Sequence, residues 1–156
     1  MTRGVRLLQS KKVTFTPHLY AYEDHGGTHH AALCLNVDEH HVIKTLVMED
    51  EAKKPFLVLM HGDCEASTKN LARSLKCKSV KPCDMEAAER VTGYQVGGIS
   101  PFGTRRPLPV YVETTILTLP SFYINGGKRG FLVQITPEAL QKALTVKPVN
   151  VAIPSL

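Results

Sequence analysis

The chain has no run approaching the roughly 20 consecutive apolar residues that a membrane-spanning helix requires. Between Met1 and Ser10 it also lacks the apolar stretch with a small-residue cleavage site that marks a secretory leader. These absences lead to the expectation of a soluble, cytoplasmic protein with no membrane partner. Its four cysteines, Cys34, Cys64, Cys77 and Cys83, form no Cys-x-x-Cys pair, and a chain of 156 residues is too large to need disulfide staples. Reduced, buried thiols are expected. Neither G-x-G-x-x-G nor G-x-x-x-x-G-K-[ST] occurs, so the glycine signatures of dinucleotide folds and P-loops are missing. No internal repeat or linker interrupts the chain, and no Ser–His–Asp nucleophile is legible from the sequence.

What is present fits one domain, expected over residues 1–146 with a loosely held tail at 147–156. With 43% hydrophobic residues there is material for a core. Nineteen Lys and Arg against fourteen Asp and Glu leave a net charge of +5. The basic residues gather at Lys11-Lys12, Lys53-Lys54, Lys69 to Lys81, Arg105-Arg106 and Lys128-Arg129. Such clusters favour a polyanionic partner, though they also suit ordinary solvated faces. The seven histidines include the doublets His29-His30 and His40-His41. Adjacent residues point in different directions on a helix or a strand, so a doublet chelates poorly and no metal site is expected.

Hydrophobic periodicity gives the elements. Val5, Leu7 and Leu8 mark a short helix, and Val13 to Tyr20 alternates like a strand. Gly26-Gly27 breaks the chain, Thr28 is placed to cap a helix from His29 to Leu35, and Asn36 ends it. Asp38 can cap one more turn. Val42 to Met48 and Phe56 to Met60 read as a hairpin, whose second run lacks alternation and should be buried on both faces. Ser67-Thr68 and Asp84 start two amphipathic helices, the second stopping at Gly93. Val110 to Val112 is a short strand. Phe122 to Ile135 is a second hairpin with its turn at Asn125-Gly126-Gly127. Thr136-Pro137 caps a last helix anchored by Leu140 and Leu144. Two hairpins among helices give an α+β class with a mixed sheet.

Two features could carry chemistry. Lys44 lies on a strand among aliphatic residues, where an ammonium either snorkels off an exposed face or serves as a fixed cation in a cleft. The segment Thr92-Gly-Tyr-Gln-Val-Gly-Gly-Ile-Ser-Pro-Phe-Gly103 combines glycines with Pro101 and Ser100. It is either a tight connection or a loop whose backbone amides face a ligand, with Ser100 adding a hydroxyl donor. Tyr20 and Tyr22 can share a face, and Lys128 and Arg129 can grip phosphates, as can Arg105 and Arg106.

Val42-Ile-Lys-Thr-Leu-Val47, the Thr92 to Gly103 block, Arg106-Pro-Leu-Pro109 and Ile124-Asn-Gly-Gly-Lys-Arg-Gly130 together resemble the YbaK/EbsC family. These proteins are free-standing relatives of the editing domain inserted in bacterial prolyl-tRNA synthetases, and the likeness runs from about Val5 to Leu144. The resemblance implies a mixed, mainly antiparallel sheet curled into a partial barrel with surrounding helices. It also implies a cofactor-free deacylase that strips a wrong amino acid from tRNA, with Cys-tRNA(Pro) the favoured substrate. Partners would then be tRNA for proline and prolyl-tRNA synthetase. Lys44 falls on the family's essential lysine, Tyr20 on a pocket tyrosine, and Gly97, Gly98, Ile99, Ser100, Pro101 and Gly103 on the pocket loop. Cysteine-specific members carry an acidic residue just after the second hairpin's turn, where this chain has Gly130-Phe131-Leu132. That departure keeps alanyl-, seryl- and threonyl-tRNA open, along with a non-catalytic module that binds tRNA or a synthetase.

Overall fold

Side-chain caps set most helix starts in the computed structural model, which describes residues 1–155. Thr2 accepts from the amide of Val5 and opens α1 (Arg3–Ser10), whose Val5 and Leu8 are buried. Ser67 accepts from Asn70 to open α3 (Thr68–Leu75), and Asp84 accepts from Ala87 to open α4 (Met85–Thr92). Thr136 accepts from Ala139 ahead of α5 (Pro137–Ala143), with Pro137 in the first turn where its missing N–H is harmless. Helix α2 (Gly27–Leu35) is the exception: Gly26 sits at its N-cap without a side-chain bond. The Thr28 hydroxyl instead donates to Glu39 Oε2 at 2.8 Å, correcting the expectation that it caps this helix. Asn36 ends α2 in the left-handed conformation, as its type allows.

Strands β1 (Thr16–Leu19), β2 (Val42–Asp50), β3 (Pro55–His61), β5 (Val80–Pro82), β6 (Val110–Glu113), β7 (Phe122–Lys128), β8 (Phe131–Ile135) and β9 (Val146–Val149) make one sheet. Its order is β1-β8-β7-β2-β3-β6-β9, with β5 paired to β2. The β1–β8, β8–β7, β2–β3 and β2–β5 pairs are antiparallel, while β2–β7, β3–β6 and β6–β9 are parallel. The sheet is mixed, mainly antiparallel and unclosed, within an α+β architecture. A two-stranded sheet of β4 (Cys64–Ala66) and β10 (Ala152–Pro154) lies apart from it. No helix among the described residues is long and apolar enough to cross a membrane.

Strand β3 is buried on both faces because it separates two cores. Leu57 and Leu59 point into one with Phe102, Phe122, Ile116 and Leu140. Phe56, Val58 and Met60 point into the other with Leu71, Val80, Val149 and Val151. A smaller cluster of Ala31, Ala32, Val42 and Leu132 seats α2 on the sheet.

Three further expectations change. The second hairpin turns at Arg129-Gly130, because Asn125-Gly126-Gly127 forms a bulge within β7. Asn125 Oδ1 accepts from the amides of Gly127 and Lys128 there, and pairing resumes at Lys128 beyond the bulge, so the turn falls later in the chain. Residues 147–156 were expected to be loosely held, yet Val149 and Val151 are buried, β9 extends the main sheet, and β10 pairs with β4. Pro148 is accommodated since β9 is an edge strand. Finally, the four cysteines are free but not buried: Cys34 is exposed and the others are half-buried.

Candidate functional site

The register of β2 decides where its lysine goes. Ile43 and Val47 enter the larger core, so Lys44 leaves by the opposite face, beside Val42 and beneath α2. It opens there into a cavity of about 780 Å³. One wall is the segment carrying Tyr20, Tyr22 and Glu23, and another is the α2 face of Gly27, His30 and Ala31. Val96, Gly97 and Ile99 close a third side, with Asn125, Arg129 and Leu132 from the β7–β8 hairpin. A more open hollow of about 410 Å³ between β1, β8 and α5 contains neither the lysine nor the glycine-rich segment.

Lys44 is half-buried, and its ammonium reaches only the carbonyl of Gly62, at 3.5 Å. Among the described residues no carboxylate pairs with it. Its positive charge therefore faces the cavity without a protein counter-ion, which is how a site built to receive an anion looks.

The glycine-rich segment divides into two parts. Gly97 lines the cavity with φ +95°, and a Cβ there would lie 2.5 Å from the Tyr22 hydroxyl. Gly98 is buried against the hairpin, where a Cβ would come within 2.7 Å of the Arg129 amide nitrogen. Its own N–H donates to Gln95 within the turn at 2.8 Å. Ser100 is fully buried, and its hydroxyl accepts from the Phe102 amide at 3.1 Å. It is thus placed as an internal brace, and the expected hydroxyl donor to a ligand is not there. Pro101 is also buried, and Gly103, φ +68°, packs on the Arg3 carbonyl while its own carbonyl accepts from the Arg3 guanidinium. Only Gly97 and Ile99 of the six expected loop residues line the cavity.

Arg129 belongs to the cavity wall: its guanidinium lies over the Tyr22 ring, and Nε donates to the Val96 carbonyl. Lys128, Arg105 and Arg106 are exposed and lie outside the lining. Tyr20 lines the cavity edge-on to His30, and burial, with Tyr22 nearby, raises its phenol above the usual range. It stays a protonated donor at neutral pH.

Sequence reasoning missed His30, whose ring meets the Ala21 carbonyl at 2.7 Å and Glu23 at 3.0 Å. The one-turn spacing of Gly27, His30 and Ala31 on α2 was the available signal. Leu132, 4% exposed, and Ala31 give the cavity an apolar patch.

Comparison with known proteins adds to this geometry. A protein of Enterococcus faecalis, provisionally named Cys-tRNA(Pro)/Cys-tRNA(Cys) deacylase EbsC, is 29% identical over 140 residues, covering 89% of this chain and 85% of its own. A proline–tRNA ligase of Brachyspira hyodysenteriae is 26% identical over 93 residues, 60% of this chain and only 16% of the ligase. The crystal structure of a provisionally assigned trans-editing enzyme for prolyl tRNA synthetase superposes with a TM-score of 0.83 at 21% identity, covering 97% of this chain and 95% of that one. The hypothetical protein APE2540 superposes with a TM-score of 0.88 at 21% identity, covering 97% and 99%. The model of the aminoacyl-tRNA editing domain matches residues 27–143, a span that holds Lys44, the glycine-rich segment and the β7–β8 hairpin, and the chain belongs to that family.

Proposed function

We propose that this chain is an aminoacyl-tRNA deacylase acting in trans, in the cytoplasm, with Cys-tRNA(Pro) as its principal substrate. The observation that carries this reading is the uncompensated ammonium of Lys44 in a cavity that the Gly97 segment also lines. An aminoacyl ester is already activated, so the protein has to bind the tRNA end, orient the ester and stabilise charge on the carbonyl oxygen. Lys44 holds the 3′-terminal phosphate or the developing oxyanion. Backbone at Gly97 and Ile99 meets the ester or ribose, and the Tyr20 hydroxyl donates from the wall it lines. With cysteine as the amino acid, its own thiol attacks the carbonyl, the ester C–O bond breaks, and the ribose oxygen takes the proton as a cyclic thioester leaves. The similarity to EbsC over most of both chains supports cysteine. Leu132 supports the second reading, in which alanine, serine or threonine is removed by a bound water, because its apolar surface offers nothing to a substrate ammonium. Arg105, Arg106 and Lys128 are assigned to tRNA phosphates outside the cavity, and prolyl-tRNA synthetase to a supporting partner.

The test is a panel of tRNA(Pro) carrying cysteine, alanine, serine or threonine. Cysteine should be released fastest, as a thioester ring, and Lys44→Ala should slow release by at least ~10²-fold with the fold intact. Normal turnover by Lys44→Ala would refute its role. Salt-sensitive tRNA binding without release from any of the four would instead identify a non-catalytic binding module.

A further inference from the structure

The turn between β3 and β4 and the single helical turn at Glu39–His41 bring together three side chains that the deacylation chemistry does not use. They are His40, Asp63 and Cys64, whose ligand atoms all lie within 4.8 Å of one another. We propose that these three residues bind a divalent cation of the zinc class.

The donor set selects the ion. One imidazole nitrogen, one carboxylate oxygen and one sulfur suit zinc, cobalt or nickel, whereas magnesium and calcium prefer oxygen alone. The spacing is close to what such an ion needs. His40 Nδ1 lies 2.8 Å from Asp63 Oδ1, and Cys64 Sγ lies 3.6 Å from the same oxygen. Ligands at roughly 2.0–2.3 Å around a tetrahedral ion sit roughly 3.3–3.7 Å from one another, so a rotation of the exposed Asp63 carboxylate admits it.

The ligands are also held in place. The His40 ring stacks on His61 at 3.7 Å with the planes 5° apart. His61 is fully buried and fixed at both nitrogens, to the His40 carbonyl and to the Thr115 hydroxyl, each at 2.7 Å. It is thereby excluded as a fourth ligand and acts as a backing plate that orients its neighbour. On the other turn, the Gly62 amide donates to the Val42 carbonyl at 2.7 Å, so Asp63 and Cys64 begin from a pinned backbone. The side chains of His40 and Asp63 are 39% and 45% exposed, leaving an entry path and a fourth position for water. The doublet rule holds for His41, whose ring centroid is 6.2 Å from that of His40 and which is no part of the group. His40 acquires its partners from 23 residues away, which sequence spacing does not disclose.

Cobalt(II) titration of the full chain tests this without tRNA, so its outcome is independent of the deacylase reading. The titration uses a Cys34→Ser background, since the Cys34 sulfur also lies near a histidine, His30. One equivalent should produce thiolate-to-cobalt charge-transfer absorption, zinc should displace it, and zinc should raise Tm. Cys64→Ser should abolish the band, and His40→Gln, a change on a half-buried ring at the surface, should weaken affinity at least tenfold in a chain that stays folded. Absence of the band at one equivalent, or its survival in the folded Cys64→Ser chain, overturns the assignment.

Discussion

The guanidinium carbon of Arg129 lies 4.9 Å from the centroid of the Tyr22 ring, while its Nε donates to the Val96 carbonyl at 2.9 Å. Stacking and one hydrogen bond hold the fork in place. Its two terminal nitrogens meet no protein acceptor among the described residues, so they are available at the cavity. Lysine keeps the charge but has neither the flat face nor the second donor. Arg129→Lys should therefore raise KM about tenfold, or about 1.4 kcal/mol, a loss within reach of one cation–π contact and one paired donor. The value of kcat should stay within about twofold, because the lysine proposed to act on the ester is untouched. An unchanged KM would show that Arg129 only props up Tyr22.

Gly97 gives a sharper steric test. With φ +95°, any side chain carries backbone strain of about 1–3 kcal/mol, and an alanine methyl must also displace the Tyr22 hydroxyl. Gly27 has φ +60° and nothing within 4 Å of the place its Cβ would occupy. Gly97→Ala should thus lower Tm more than Gly27→Ala does, and should reduce kcat/KM more than tenfold by moving the Tyr22–Arg129 wall. Equal effects of the two substitutions would mean that contact with Tyr22 contributes nothing.

These residues show how much could be read in advance. Caps at Ser67, Asp84 and Thr136, the stop at Gly93, and the doubly buried β3 were legible because each depends on neighbours within one turn or on an unbroken apolar run. Lys44 and Gly97 were legible as a constellation through their resemblance to a family. The part played by Ser100 was not, since its partner, the Phe102 amide, is a local backbone group that composition does not reveal. The turn in the second hairpin was misplaced because Asn-Gly-Gly suits a bulge as well as a turn, and only pairing with β8 decides between them. The tail was missed for a long-range reason: its strands depend on edges supplied by β6 and β4, far away in sequence.

Thiol chemistry separates two cysteines and carries a pH dependence. Burial, and then the carboxylate of Glu49, push the Cys83 thiol up to about 11 from 9.0. Cys34 is exposed. A maleimide at pH 7 should label Cys34 first and leave Cys83 until the protein unfolds. For stability, the folded chain holds the Cys83 proton more tightly than the unfolded chain does. Its contribution is complete below pH 9 and is lost as pH rises through about 11, so Tm should fall across that window. Tyr20 and Tyr94, both raised by burial from 10.0, extend the loss upward. Cys83→Ala should flatten the first part of the decline, and an unaltered curve would remove Cys83 from it.

Glu113 tests what holds the C-terminal strands. It is 1% exposed at the end of β6, and its Oε1 accepts from the amides of Val151 at 2.7 Å and Ala152 at 3.0 Å. A carboxylate buried this deeply is tolerated because it replaces the missing ladder partners of a chain turning from β9 toward β10. Alanine would leave two amides without an acceptor, at about 1–3 kcal/mol each, so Glu113→Ala should cost about 2–6 kcal/mol in urea unfolding. Glutamine keeps a carbonyl oxygen in reach but loses the charge, and should cost about half as much or less. Limited proteolysis should cut the alanine variant between Pro148 and Pro154 before any other site, because the local opening energy of that segment falls first. If Glu113→Ala loses under about 0.5 kcal/mol and resists the protease, the two strands are held by the packing of Val149 and Val151 alone, and the buried carboxylate has another purpose.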